Sequence, residues 1–273
     1  MNPNDSERGL ADPAVALVTG AARGIGLATA RLFLARGWSV ALLDIDRATL
    51  AATHRALEAE VGAARVLALP ADVALEREVG DAVARIEARF GRLDALVNNA
   101  GIAIFKPIGQ TSAAEWQRVL DVNLTGPFLC TQACTPLLLR AGGRGSVVNI
   151  ASISGFRAST LRAAYGTSKA GLIQLTKQQA AELGAVGIRV NAIAPGPVDT
   201  AMAKAVHSTA IRADYHAAIP LGRYGSEDEI AQAVVFLCSE AASYINGQTL
   251  AVDGGFESTG IGLPTLRASG DKA

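Results

Sequence analysis

The fold is decided near the amino terminus by the stretch VALVTGAARGIG, residues 15–26. Its first five residues are apolar or β-branched, which is typical of a buried strand, and residues 24–36 carry apolar side chains at helical spacing. Between these two segments stand Gly20, Gly24 and Gly26. Such glycines let the backbone turn tightly, so that the free N–H groups at the start of the helix can approach an anion. The arrangement predicts a site for the pyrophosphate of a dinucleotide.

An acid at the end of the following predicted strand supports this interpretation. Asp44 closes the run ALLD, and a carboxylate there can accept hydrogen bonds from the adenosine ribose while repelling a 2′-phosphate. The acid therefore favours NAD over NADP. Arg23 and Arg47 argue for NADP, because either guanidinium could reach a 2′-phosphate. Asp44 could also be a solvated loop acid, or a helix cap shared with Asp46.

The rest of the chain repeats the alternation of apolar strand and amphipathic helix. Further strands are predicted at residues 40–43, 66–69, 95–97, 146–150, 189–193 and 249–252, with helices near 76–90, 112–139, 161–184 and 227–239. Because these strands are continuously apolar, they fit a parallel sheet that is buried on both faces. We therefore predict the α/β class, with a single Rossmann-type doubly wound parallel sheet of about seven strands and helices on both faces.

Three segments depart from this alternation. Residues 1–13 are interpreted as an N-terminal extension and residues 257–273 as a C-terminal tail, which leaves one domain, 14–256, for both cofactor and substrate. Residues 200–226 have weak periodicity. A long irregular insertion near the carboxyl end of a strand is a candidate lid.

Composition excludes several classes of protein. The 273 residues include 25 Lys or Arg and 25 Asp or Glu, whereas nucleic-acid-binding domains normally carry a basic excess. No run approaches the roughly 20 consecutive apolar residues of a membrane-spanning helix, and the first residues lack the apolar run of a signal peptide. Three cysteines cannot form a disulfide framework, and the three histidines have no metal-ligand spacing. We expect a cytoplasmic protein without a metal site.

Two polar residues of the predicted helix 161–184 suggest acid–base chemistry. Tyr165 and Lys169 are four residues apart, so both side chains lie on one helix face. A tyrosine with a pKa of about 10 becomes a base near neutral pH only if roughly 4 kcal/mol stabilises its phenolate, and a nearby ammonium contributes to this. Ser152 follows a predicted strand, at the edge where ligand-binding groups gather in this fold. Its hydroxyl could hold the substrate oxygen.

Taken together, these motifs resemble the short-chain dehydrogenase/reductase family, from about Ala14 to Gly255. The matching segments are TGAARGIG (19–26), Asp72-Val73, NNAG (98–101), Asn123, Ser152, YGTSK (165–169), PGPVDT (195–200) and VDGG (252–255). The resemblance implies a hydride-transferring oxidoreductase in which Tyr165 is the general acid and base. It also implies that Asn123 holds a water that links Lys169 to solvent.

The resemblance further implies which residues touch the cofactor. Asp72 and Val73 would contact the adenine, Ala100 and Gly101 would lie along the cofactor, and Lys169 would bind the nicotinamide ribose. The full set implied to bind cofactor is Gly20, Arg23, Gly24, Ile25, Gly26, Asp44, Ile45, Asp72, Val73, Asn99, Ala100, Gly101, Tyr165, Lys169, Pro195, Gly196, Val198 and Thr200. Asn98 would brace the central strand instead.

The substrate is less well defined. Ser152, Ser154, Phe156 and Tyr165 are expected to line its pocket, a mixed polar and apolar surface. The favoured function is NAD-dependent oxidation of a secondary alcohol, such as a polyol, sugar or hydroxy compound. The alternatives are an NADPH-dependent reductase of 3-oxoacyl or other ketones, and a non-catalytic dinucleotide-binding protein. Family resemblance also implies a homotetramer that acts on a small molecule.

Overall fold

A computed structural model describes residues 13–260, and its centre is one parallel sheet of seven strands. The strands are β1 (Val15–Thr19), β2 (Ser39–Asp44), β3 (Val66–Pro70), β4 (Ala95–Asn98), β5 (Ser146–Ile150), β6 (Arg189–Pro195) and β7 (Thr249–Val252). Their order is β3-β2-β1-β4-β5-β6-β7, so the chain reverses direction across the sheet between β1 and β4. The predicted fold class is confirmed. The predicted extension and tail lie almost wholly outside the described residues.

Nine α-helices surround this sheet within residues 13–260. They are α1 (Gly24–Ala35), α2 (Arg47–Val61), α3 (Glu76–Phe90), α4 (Ala113–Leu120), α5 (Gly126–Leu139), α6 (Ala163–Gly184), α7 (Ala201–Val206), α8 (Thr209–Ala218) and α9 (Glu227–Cys238). Side chains of α1, α2 and α9 pack on one face of the sheet. Those of α3, α5 and α6 pack on the other. Because both faces are covered, the central strands are buried throughout, which explains their unbroken apolar sequence.

Two predicted segments differ from the structure. The single helix expected at 112–139 consists of α4 and α5, joined by one π-helical segment, Asp121–Thr125. The segment 200–226, expected to be irregular, contains α7 and α8, which begin at the caps Thr200 and Ser208. These helices are short and largely exposed, so they carry little of the apolar periodicity that would have revealed them. No helix of the described part of the chain is long and apolar enough to cross a membrane.

Candidate active site

The glycine-rich turn lies at the carboxyl end of β1, beside β4, where the strand order reverses. In doubly wound sheets ligands bind at this point. Gly20 has a φ of +63°, and a Cβ there would stand 2.9 Å from the Cα of Ala100. A Cβ on Gly26 would stand 2.2 Å from the carbonyl oxygen of Gly20. The backbone is therefore too closely packed for side chains at either position.

Thr19 and Asn99 hold this turn in place. The Asn99 amide nitrogen donates to the carbonyl oxygens of Thr19 and Gly20, at 2.9 and 3.0 Å. The Thr19 hydroxyl accepts from the backbone N–H groups of Asn99 and Ala100. Sequence analysis gave Thr19 no role of its own. The only available signal was its position as the last residue of the strand before the glycines.

The carboxylate of Asp44 is oriented toward the turn by two main-chain donors. Ala22 N–H donates to one oxygen at 3.0 Å and Asp46 N–H donates to the other at 2.9 Å. Arg23 forms an ion pair with Asp46, 2.6 Å long, and Asp46 also caps α2 through Thr49 N–H. Asp46 thereby compensates the charge of Arg23. A 2′-phosphate would have to compete with Asp46 to bind Arg23.

The residues expected at the adenine lie next to Asp44. Asp72 accepts from the Arg118 guanidinium at 2.7 Å, and Val73 is buried against Gly126. Ile45 is 60% exposed, so its apolar side chain is free to cover a planar ring. Arg118 was missed by the sequence analysis because it is distant in the chain and belongs to no recognised motif.

Ser152, Tyr165 and Lys169 come together at the carboxyl end of β5. Ser152 lies close enough to the Tyr165 phenol to lower its pKa, and its hydroxyl accepts from Ser154 N–H at 3.1 Å. The ammonium nitrogen of Lys169 donates to the Ile150 carbonyl oxygen at 2.7 Å and lies 5.7 Å from the centre of the Tyr165 ring. Tyr165 and Lys169 thus lie on one face of α6, as their spacing predicts, and Ser152 lies opposite Tyr165.

Burial shifts the pKa values of both Tyr165 and Lys169. Burial raises the pKa of the Tyr165 phenol above its usual value, while the Ser152 hydrogen bond and the charge of Arg162 lower it. Burial also lowers the pKa of Lys169 to about 8. Desolvation thus outweighs the favourable interactions of the phenol in the protein alone, and a lowering of the Tyr165 pKa by Lys169 together with the positive nicotinamide ring stays a prediction. Arg162, whose charge does act on the phenol, was not recognised from the sequence.

Asn123 lies in the π-helical segment between α4 and α5, and such segments are frequent at functional sites. Its amide oxygen accepts from Ile102 N–H at 2.9 Å, and its amide nitrogen donates to the Ile102 carbonyl and to Ser168 Oγ. A Cβ on Gly101 would stand 3.4 Å from this oxygen and 3.5 Å from the Lys169 nitrogen. The Asn123 side chain thus holds the segment that follows β4 in place beside Lys169.

A buried polar network lies beneath the site, between β4 and β5. Asn98 donates to the amide oxygen of Asn149 at 2.8 Å, which is the bracing role that the sequence analysis expected. Asn149 in turn donates to the hydroxyl of Thr176 and the amide oxygen of Gln179, both on α6. The network joins the two strands to the helix that carries Tyr165, and buried networks of this kind rigidify a core.

The segment 195–200 packs against the end of β7. Gly196 N–H donates to the Val252 carbonyl at 3.1 Å, and a Cβ on Gly196 would stand 2.6 Å from the Cβ of Asp253. Pro195 ends β6, and Val198 forms an isolated parallel bridge with Gly225. The Thr200 hydroxyl accepts from Ala203 N–H and caps α7. This segment therefore joins the sheet to the helical insertion.

Around Tyr165 the expected substrate residues occupy different environments. Ser154 is buried and hydrogen bonded to Ser159, whereas Phe156 is 41% exposed. Aromatic and basic side chains of the helical insertion and of the neighbouring loops also stand here; they are Phe105, Arg162, His207, Arg212, Tyr215 and Tyr224. Within residues 13–260 no group of three His, Cys, Asp or Glu is arranged to hold a metal ion.

Comparison with known proteins identifies the family. Residues 20–257 match a family model described as enoyl-(acyl carrier protein) reductase. The chain is 41% identical to cis-4-hydroxycyclohexanecarboxylate dehydrogenase of Sinomonas cyclohexanicum over 250 residues, covering 89% of this chain and 96% of that protein. It is 40% identical to a 3-oxoacyl-[acyl-carrier-protein] reductase of Synechocystis sp. over 242 residues, covering 88% and 96%. The chain belongs to the short-chain dehydrogenase/reductase family.

Solved structures agree with this assignment. Levodione reductase superposes with a TM-score of 0.86 at 35% identity, covering 91% of this chain and 99% of that one. A gluconate 5-dehydrogenase from Burkholderia cenocepacia, in complex with NADP and tartrate, gives the same TM-score and identity, covering 91% and 97%. The protein is thus an oxidoreductase that acts on hydroxy or keto groups of small molecules and uses NAD or NADP.

Proposed function

We propose that this protein is an NAD-dependent dehydrogenase that interconverts a secondary alcohol and its carbonyl, with Tyr165 as the general acid and base. The observation that carries the proposal is that Ser152 adjoins the Tyr165 phenol, while Lys169 lies on the same face of α6 as Tyr165 with its nitrogen 5.7 Å from the ring centre. Two hydroxyls next to an ammonium are suited to moving a proton at an alcohol oxygen.

In the oxidation direction Ser152 holds the alcohol oxygen and Tyr165 removes its proton. A bound nicotinamide would supply the hydride acceptor, and its positive charge would favour the phenolate. Lys169 would hold the nicotinamide ribose and, through a water held by Asn123, exchange the proton with solvent. In reduction Tyr165 returns the proton to the carbonyl oxygen. Ser154 and Phe156 line the substrate side.

The choice of NAD rests on Asp44. The Ala22 and Asp46 main-chain N–H groups hold its carboxylate at the end of β2, where it would accept hydrogen bonds from the ribose hydroxyls. Each carboxylate oxygen has a further lone pair for this purpose. Gly20, Gly24, Ile25 and Gly26 would present the start of α1 to the pyrophosphate, Asn99, Ala100 and Gly101 would line the cofactor, and Pro195, Gly196, Val198 and Thr200 would hold the carboxamide end. At the adenine end, Ile45, Asp72 and Val73 complete the proposed set.

A second candidate is an NADPH-dependent reductase of 3-oxoacyl groups or other ketones. It is favoured by the name of the Synechocystis relative and by the NADP bound in the gluconate 5-dehydrogenase structure. Arg23 and Arg47 would then hold the 2′-phosphate. One contact disfavours this candidate, because Arg23 is paired with Asp46. The surface depression that Arg47 lines is also lined by the acids Glu78 and Asp81, whose charge opposes a phosphate.

We also propose a homotetramer, assembled through the helices of residues 112–139 (α4 and α5) and 161–184 (α6). Phe128 and Leu139 on α5 are each 46% exposed, and Ile108 before α4 is 79% exposed. Large apolar side chains grouped on neighbouring elements are typical of subunit interfaces. A cytoplasmic location stays a prediction; the three cysteines are unpaired and buried, as a reducing compartment permits.

Initial rates with a panel of polyols, sugars, hydroxy acids and secondary alcohols test the proposal. We expect reduction of NAD by at least one class of alcohol, and slower reduction of NADP by the same alcohol. Faster turnover of NADP, or ketone reduction with NADPH alone, would establish the second candidate. No turnover with either cofactor, in protein that binds NADH, would contradict both.

A further inference from the structure

Arg162 is placed beside the catalytic tyrosine by the start of α6. It is the last residue before the helix, three positions ahead of Tyr165 and seven ahead of Lys169, so the three side chains share one helix face. The preceding residue, Leu161, has a φ of +60°, an uncommon conformation for a residue with a side chain. Its carbonyl accepts from Lys106 N–H at 3.1 Å. The loop that aims Arg162 is therefore held in one conformation by tertiary contacts.

The half-buried guanidinium of Arg162 lies beside Phe105 and His207, two uncharged side chains. Its Cζ lies 5.1 Å from the centre of the Phe105 ring, and one nitrogen lies 3.4 Å from Nε2 of His207. Because a guanidinium only donates, Nε2 must accept, and His207 therefore donates from Nδ1 to the Tyr224 hydroxyl, 3.0 Å away. Burial, together with Arg162 and Arg212, lowers the pKa of His207, so this imidazole is neutral at neutral pH.

Neighbouring cations are paired with oxygen atoms of the described part of the chain. Arg212 forms an ion pair with Asp199 at 3.0 Å, and Lys204 approaches the same carboxylate at 3.5 Å. Arg157 donates to the Phe256 carbonyl and stacks on its ring. Within residues 13–260, no carboxylate forms an ion pair with Arg162. Partial burial of a charge without a counter-ion is unfavourable, and a ligand that brings an anion removes this cost.

We infer that Arg162 is a specificity-determining residue that binds a carboxylate of the substrate, so that the enzyme acts on hydroxy or keto acids. This inference rests on the proposed function. The planar guanidinium matches a carboxylate in a paired, two-bond geometry, and the rings of Phe105 and Tyr224 would cover an apolar body between the carboxylate and the reacting carbon. The reacting oxygen would stand at Ser152 and Tyr165, on the same helix face. The position of the charge therefore selects substrates by the separation between carboxylate and alcohol.

Binding of benzoate and of its uncharged analogue benzamide tests the carboxylate site without turnover. Calorimetry or ligand-observed NMR on the full-length protein saturated with NADH measures both affinities. We expect wild type to bind benzoate more tightly, and Arg162→Gln to weaken benzoate binding about 10- to 100-fold while leaving benzamide unchanged, because a charged hydrogen-bonded pair is lost. Arg162→Lys, which keeps the charge without the planar fork, should fall between them. Arg157→Gln is the matched control and should behave as wild type.

A parallel kinetic panel pairs each hydroxy acid with its carboxamide. The expected result is a rise in KM of Arg162→Gln for the acids alone. Equal benzoate and benzamide affinity in wild type, or unchanged benzoate affinity in both Arg162 variants, would overturn the inference. If neutral alcohols are oxidised without any preference for acids, the proposed function stands and this inference fails. If benzoate binding depends on Arg162 but no alcohol is oxidised, the carboxylate site at Arg162 stands and the proposed function fails.

Discussion

The two sides of the active-site crevice are built in different ways. The side formed by β1, β2 and β4 is held by hydrogen bonds between side chains and the main chain. The Asn99 amide nitrogen donates to the carbonyls of Thr19 and Gly20, and the Asp44 carboxylate accepts from the N–H of Ala22. The side formed by the insertion of α7 and α8 is held by side chains that touch one another, such as His207 with Tyr224 and Arg212 with Asp199.

This difference separates what is general from what is particular. Hydrogen bonds from side chains to the main chain depend on backbone conformation. They therefore require glycine, asparagine or threonine at defined positions and tolerate little else. Side-chain contacts on exposed short helices can be exchanged one at a time without disturbing the sheet. The first side is suited to a constant ligand, the dinucleotide, and the second to a substrate that varies between relatives.

Substitution of the catalytic tyrosine should have the largest effect on rate. Tyr165→Phe removes the hydroxyl that moves the proton, and we expect kcat to fall by about 10²- to 10⁴-fold, which is the usual contribution of general acid–base catalysis. The affinity for NADH, measured by fluorescence titration, should change much less than kcat, because most of the proposed cofactor contacts lie on the β1–β4 side. Full activity in a folded Tyr165→Phe protein would contradict the proposed mechanism.

A methyl group in the glycine turn should selectively disturb the side of the crevice formed by β1, β2 and β4. In Gly26→Ala the added Cβ would stand 2.2 Å from the Gly20 carbonyl, so the backbone must move; we expect a loss of about 1–3 kcal/mol of unfolding free energy and weaker NADH binding. Denaturant unfolding measures the first quantity. Gly80→Ala is the control, because it lies inside α3 with no atom within 4 Å of the new Cβ, and it should stabilise the protein by about 0.5–1 kcal/mol.

Replacement of Asp44 should change the choice of cofactor. Asp44→Asn removes the charge while keeping the shape, and we expect the ratio of kcat/KM for NAD to that for NADP to fall about 10-fold, through weaker ribose hydrogen bonds and less repulsion of a 2′-phosphate. Glu60→Gln, an exposed acid on the neighbouring helix α2, is the control for net charge. An unchanged ratio in Asp44→Asn would mean that Asp44 does not select the cofactor.

The smallest effect is expected where α9 meets the glycine turn. A Cβ on Gly24 would lie 3.7 Å from a carboxylate oxygen of Glu227, whose pKa burial raises. This negative charge opposes a pyrophosphate at the same turn, so Glu227→Gln should tighten NADH binding about two- to fivefold. Asp228→Asn, exposed in the same helical turn, should change it less. Weaker binding in Glu227→Gln would show that the carboxylate instead assists the cofactor.

The sequence predicted the first side more completely than the second. Strands β1, β5 and β7 have the predicted bounds, and the glycine turn and Asp44 lie where their spacing placed them. The helices α7 and α8 were not predicted, because short exposed helices lack an apolar period. Arg162 was missed for another reason: its importance comes from Phe105 and His207, which are remote from it in the chain.

By itself the sequence determined the strand–helix alternation, the glycine turn and the pairing of Tyr165 with Lys169 on one helix face. These are local properties, set by residue type and by the periods of helix and strand. Only the tertiary structure decided that burial raises the pKa of Tyr165, that Arg23 is compensated by Asp46, and that Arg162, which has no carboxylate partner within residues 13–260, stands beside the phenol. Burial and charge compensation depend on which distant residues are brought together, and no local pattern records that.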